Sequence, residues 1–235
     1  MRKAILFDLD GTLLHMDLER FTKGYFGLLT QVMARHGYEP DRLIAALMTG
    51  IRAMGSGDGT KTCEQLFWDD AVQTLGESSR SDIPLFDAFY RNEFREAKRF
   101  TEPDPALAQA AVRAAHAHAQ KVALATNPLF PFCAIEERLA WLGLTPADFD
   151  LVTSYETSRF SKPNPAYFAE VASALGVAPA DCLMIGNDVG EDILPSAACG
   201  MDTLLITDCM LNPRQLPYRS VETTLAGIPA VLEKV

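Results

Sequence analysis

The stretch Phe7-Asp8-Leu9-Asp10-Gly11-Thr12 (FDLDGT) closes the apolar run of residues 4–7 and puts two aspartates where a buried strand would end. A short apolar run bounded by charge and glycine predicts a central strand. Side chains two apart in an extended chain point the same way, so Asp8 and Asp10 share a site while Leu9 turns inward. Two close carboxylates repel, which pushes one pKa up unless a cation relieves them. Taken alone, the string also suits an Asx-type turn. The rest of the chain decides between the two.

Downstream the text changes twice. From about residue 18 to 100 it carries amphipathic helical patterns, such as RFTKGYFGLLTQVMARHG (20–37) and LFDAFYRNEFREAKRF (85–100), with no convincing strand. Thr62 and Gln65 fit a capping box that starts a helix after the glycine-rich MGSGDGTKT (54–62). After TEPDP (101–105) helices and strands alternate: helix about 105–119, strand 121–125, helix about 132–142, strand 151–153. A helix at about 165–175, a strand at 182–185, a helix at about 192–198 and a strand in MDTLLIT (201–207) follow. Alternation of this kind predicts an α/β fold with a doubly wound parallel sheet. The opening strand finds partners only after residue 120, so the helical block is an insertion.

Composition narrows the function classes. At 235 residues with 48% hydrophobic residues, the chain is long enough for a sizeable core. A net charge of -10 without a basic run argues against nucleic-acid or membrane-surface binding. The five cysteines are widely spaced with no C-x-x-C pair, which suggests reduced thiols and not a disulfide framework or zinc site. No signal-peptide pattern or membrane-length run is present, and a cytoplasmic location is the expectation.

In such sheets ligands bind beyond the carboxyl ends of the strands. The residues there are Asp8 and Asp10, then Thr126 and Asn127, then Lys162, then Asn187, Asp188 and Asp192. Carboxylates, a hydroxyl, amides and one lysine converging on one edge suit magnesium-dependent phosphoryl transfer. A hard cation takes oxygen ligands, with Asp188 or Asn187 completing the shell. One carboxylate can attack phosphorus and its neighbour can move the proton. Lys162, Thr126 and Asn127 meet the phosphoryl oxygens, and Gly11 lets the backbone turn and approach them.

Four motifs in this order, DLDGT (8–12), ATN (125–127), SKPNP (161–165) and IGNDVGED (185–192), resemble the haloacid dehalogenase superfamily in its phosphatase branch. The resemblance implies a Rossmann-like core over 1–14 and 103–235 and an α-helical cap over 15–102. It implies Asp8 as nucleophile and Asp10 as general acid and base. It further implies Mg2+ held by Asp8, the main-chain carbonyl of Asp10 and the acidic fourth motif. Many members read Gly-Asp where this chain reads Gly186-Asn187-Asp188, so Asp188 is expected as the metal carboxylate, Asn187 as an alternative oxygen ligand, and Asp192 as assisting through water or Lys162. The expected substrate is a small phosphorylated metabolite.

Other readings compete. A sugar-phosphate mutase shares the same site. A haloacid dehalogenase needs no metal, so Asp10 and Asp188 count against it, and a phosphonate-cleaving relative lacks the second aspartate, so Asp10 counts against that. A phosphorylatable regulatory protein is disfavoured by the large insertion and Asp10. His116 and His118 lie two apart on a helix and read as surface residues, and His36 as a helix-end residue. His15 has a weak claim to the cleft. Trp68 and Trp141 read as packing, and the 54–62 stretch with Lys61 as a turn that can reach substrate.

Overall fold

The structure, a computed structural model, describes residues 2–234. The opening strand β1 (Arg2–Phe7) is buried from Ala4 to Phe7, and its side chains alternate between two apolar clusters. Ile5 and Phe7 join the larger cluster, while Ala4 and Leu6 join the smaller one. A strand covered on both faces must be apolar throughout, which is why the run carries no alternating polar residue.

The chain is then helical: α1 (Leu18–Ala34), α2 (Pro40–Gly55), α3 (Cys63–Leu75) and α4 (Ile83–Arg91), followed by a 3₁₀ segment at Glu93–Phe100. Helix α1 starts at Asp17, whose carboxylate accepts the Arg20 N–H, and it buries Phe21, Tyr25, Leu29 and Met33 at four-residue spacing. Helix α3 carries the expected capping box, with Gln65 N–H donating to Thr62 Oγ1 at 3.2 Å and Thr62 N–H to Gln65 Oε1 at 3.0 Å. The stretch 85–100, expected as helical throughout, breaks at Asn92. Its side-chain amide donates to the Ala88 carbonyl at 2.7 Å, in competition with the helical ladder, and the chain tightens into the 3₁₀ segment. The insertion leaves and rejoins the sheet side by side, Glu102 N–H donating to the His15 carbonyl at 2.8 Å.

The remainder alternates: α5 (Pro105–His118), β2 (Ala119–Leu124), α6 (Phe132–Trp141), β3 (Leu151–Val152), α7 (Pro165–Leu175), β4 (Cys182–Gly186), α8 (Leu194–Ala198), β5 (Asp202–Ile206), β6 (Val221–Thr223) and α9 (Ile228–Leu232). The six strands run parallel in the order β3-β2-β1-β4-β5-β6. Helices α5, α6 and α9 bury one sheet face and α7 the other. Strand β6 was not anticipated; it is a three-residue, largely exposed edge without an apolar run. The helix expected at about 192–198 is a wide helical turn at Val189–Ile193 leading into α8, because the Asp188 carboxylate caps the N–H groups of Gly190 and Glu191. Among the described residues no helix is long and apolar enough to cross a membrane.

Register places the site. Phe7 is level with Leu124 of β2 and Ile185 of β4, so the chain emerges from three neighbouring strands at one height. Asp8 N–H still donates to the Ile185 carbonyl at 2.9 Å, and Ala125 N–H to the Phe7 carbonyl at 2.7 Å. The strand order reverses at β1 and β4, the crevice where doubly wound sheets bind ligands.

Gly11 has φ +88°, and a Cβ there would overlap the Asn187 amide. Gly11→Ala is therefore expected to cost more than about 1 kcal/mol in urea denaturation. A neutral substitution would contradict the close approach.

Candidate active site

Asp8 leaves β1 almost fully buried, and its two oxygens meet different partners. Lys162 Nζ lies 2.8 Å from Oδ1, and Thr12 Oγ1 lies 3.2 Å from Oδ2. The same ammonium lies 2.6 Å from Asp192 Oδ1, and Lys162 and Asp192 are both buried. Burial opposes the lysine's charge, but Asp192 and Asp8 more than offset it and its pKa is raised. For Asp192, burial raises the pKa while Lys162 opposes the rise.

Asp192 Oδ2 accepts the N–H groups of Asn187 and Asp188 at 3.1 and 3.0 Å, so protein groups engage both its oxygens. It positions Lys162 and the β4 exit loop. Asn187 is likewise engaged: its Oδ1 accepts from Thr12 Oγ1 at 3.0 Å, and its Nδ2 donates to the Cys209 carbonyl at 2.7 Å. This amide packs over Gly11 and ties the first turn to the loop after β5. Asp188 Oδ1 accepts the two N–H groups of its own turn, and Oδ2 has no partner among the described residues.

Asp10 reaches the site by a turn and not along an extended strand, since β1 ends at Phe7. Leu9 carbonyl accepts the N–H groups of Thr12 and Leu14, and Asp10 carbonyl takes part in none of the turn's hydrogen bonds. Asp10 Oδ2 pairs with Arg138 of α6, whereas Oδ1 is buried without a partner among the described residues. Burial raises the Asp10 pKa, Arg138 opposes it, and the charge of Asp8 raises it further.

Thr126 is buried, and its carbonyl accepts the hydroxyls of Thr153 and Tyr167, each at 2.8 Å. Asn127 Oδ1 accepts the Lys162 N–H at 3.3 Å, and its Nδ2 donates to Glu191 Oε2 at 3.0 Å. Asp8, Asp10, Thr126, Asn127, Asn187, Asp188 and Asp192 line one cavity of about 260 Å³. Lys162 stands behind Asp8, held by its two carboxylates.

A magnesium ion needs a compact set of oxygen donors. Among the described residues no three acidic, histidine or cysteine side chains come together as a metal group. The cavity nevertheless offers the carboxylates of Asp8 and Asp188, and Asp10, whose carbonyl takes part in none of the turn's hydrogen bonds, lines it too. A small, all-oxygen set that leaves places for water and phosphate fits Mg2+, which dehydrates reluctantly.

Arg138 was not anticipated, although it is fully buried. Its Nε donates to the Ala134 carbonyl at 3.2 Å, and its guanidinium stacks 4.2 Å from the centroid of the Phe130 ring. Its position between Ile135 and Leu139, both at 0% exposure, was the available signal: a lone cation on the buried stripe of a helix. Glu191 was also missed; it lines the cavity, and burial raises its pKa against the pull of Lys162. Lys61 does not reach the site. It pairs with Asp69 at 2.8 Å, and the 54–62 stretch docks on Arg159 and Phe160. None of His15, His36, His116 and His118 lines the cavity, whereas Trp68 does.

A family model described as haloacid dehalogenase-like hydrolase matches residues 2–200. A candidate phosphatase, YhcW of Bacillus subtilis, is 23% identical over 206 residues, covering 88% of this chain and 84% of that protein. A 2-haloacid dehalogenase from Pseudomonas syringae pv. Tomato DC3000 superposes with a TM-score of 0.64 at 18% identity, covering 100% of this chain and 99% of that one. A phosphatase of the same superfamily from Thermococcus onnurineus gives 0.58 at 18% identity, covering 98% and 97%. Likeness at this level fixes the fold and leaves the reaction to the site.

Arg138→Met is expected to lower the unfolding free energy by about 3 kcal/mol in urea denaturation, because it strands Asp10 beside an apolar wall. Adding Asp10→Asn should recover part of the loss. A cost below about 1 kcal/mol, as for an exposed pair, would contradict this assignment.

Proposed function

We propose that this chain, which belongs to the haloacid dehalogenase-like hydrolase family, is a magnesium-dependent phosphatase that hydrolyses a small phosphomonoester through an aspartyl phosphate on Asp8. The observation that carries this reading is the difference between two neighbouring carboxylates. Asp8 is fixed by a buried ammonium, while Asp10 keeps one buried oxygen free.

In the first step an Asp8 oxygen forms a bond to phosphorus as the bond to the alcohol oxygen breaks. Asp10, whose pKa is raised chiefly by burial, gives its proton to the departing oxygen through Oδ1. In the second step Asp10 takes a proton from water as that water attacks phosphorus and Asp8 is released. Lys162 holds Asp8 in its attacking rotamer, and Thr126 and Asn127, which line the cavity, meet charge on the phosphoryl oxygens. Asp8, Asp188 and the Asp10 carbonyl would hold Mg2+, which when bound neutralises the phosphate charge.

Asp10 favours ester cleavage over halide displacement, because a halide leaves without a proton. The likeness to YhcW points the same way. Residues 15–102, as a cap over the strand ends, would exclude bulk water and favour transfer to a single bound nucleophile.

The test is phosphate release from small phosphomonoesters in the presence of Mg2+. Asp8→Asn is expected to lower kcat by about a thousandfold or more, and Asp10→Asn by about a hundredfold or more. Chelation should abolish release and added Mg2+ restore it. Release by Asp8→Asn at the parent rate would remove the nucleophile assignment.

A further inference from the structure

The cavity has two ends of different chemistry. One holds the carboxylates already described. The other is walled by Tyr25, Trp68, Phe86, Tyr90 and Phe130, with leucine and isoleucine between them. No lysine, arginine or histidine lines any part of it.

On the phosphatase reading above, we propose that the alcohol portion of the substrate is uncharged and mainly apolar, an arylmethyl or branched aliphatic group about the size of one aromatic ring. A second anionic group would lose its hydration in the aromatic end and find no countercharge there. Arg138 does not line the cavity: one terminal nitrogen pairs with Asp10, the guanidinium stacks on Phe130, and its Nη2 is buried behind that ring. A polyol fares little better. The Tyr25 and Tyr90 hydroxyls are hydrogen-bonded to each other, and burial pushes the Tyr25 pKa up to about 12. Beyond the hydroxyls of Thr22 and Tyr155, which also line the cavity, each further hydroxyl brought into this wall would exchange water for carbon.

An apolar group gains from the same wall. Removing its surface from water contributes about 25 cal/mol per Å², and the tilted ring planes offer edges and faces to an aromatic guest. An apolar cavity of about 150 Å³ suffices for benzene, and this one, at about 260 Å³, also includes the carboxylate end. Few polar groups remain in the lining: the hydroxyls of Thr22 and Tyr155, and the buried Trp68 N–H beside Tyr155, which together leave room for a single ether or carbonyl oxygen on the apolar group.

The test compares kcat/KM for benzyl phosphate, glucose 6-phosphate and phosphoglycolate, all esters of alkyl alcohols, with Mg2+ present. Benzyl phosphate is expected to exceed both others by about tenfold or more, the scale on which apolar pockets discriminate. Ile51 lines the cavity and is only half-buried. Ile51→Lys should lower the benzyl phosphate value and raise that for phosphoglycolate. If phosphate is released but either polar ester matches or exceeds benzyl phosphate, the apolar assignment falls while the phosphatase reading stands. Preference for phosphoglycolate in particular would mean that Arg138 turns from Asp10 to the substrate. If no ester releases phosphate in an Asp8-dependent way, the phosphatase reading falls and this inference with it.

Discussion

The ammonium of Lys162, buried between the carboxylates of Asp8 and Asp192, is the interaction on which the site depends. A charge removed from water is tolerated only where its partners are already in place. Asp192 is fixed in turn by the N–H groups of Asn187 and Asp188. Asp8, Lys162 and the exit of β4 therefore form one unit, and none of the three can shift without stranding a charge. Gly186 and Gly11 are required by the same crowding, because a Cβ at either would run into Asp192 or Asn187.

The sheet supplies the precondition. Parallel pairing in register delivers the ends of β1, β2 and β4 at one height, and the reversal of strand order opens the crevice between them. Helix α6 then adds what the strands cannot, a cation approaching Asp10 from beneath the aromatic wall. The two carboxylates thus acquire different surroundings from different elements. One is set by a lysine on the loop after β3 and the other by an arginine on a helix.

Much of this was legible in the sequence because both of its rules are local. Apolar runs ending in polar residues mark strand ends, and a parallel sheet gathers those ends on one edge, so the sequence alone puts Asp8, Thr126, Lys162, Asn187 and Asp192 on that edge. Arg138 could not, because its meaning depends on which helix face meets the sheet and how far a guanidinium reaches past Phe130. The division of labour within GNDVGED was hidden for a similar reason. Which of Asn187, Asp188 and Asp192 has a free oxygen is settled by backbone N–H groups that sequence does not orient. The break at Asn92 and the short edge strand β6 lack a periodic signal altogether. Lys61 was overvalued because a glycine-rich stretch suggests reach, whereas this one is tied down by Arg159 and Phe160.

Asp8 as the attacking group is the central claim, and trapping the covalent intermediate tests it most directly. The protein would be quenched in acid during turnover of a phosphomonoester with Mg2+, reduced with borohydride, digested and mapped by mass spectrometry. An aspartyl phosphate is reduced to homoserine, whereas a free carboxylate is not. Homoserine at position 8 alone is the expected result. Homoserine at another aspartate, or none anywhere while phosphate is being released, would contradict the account.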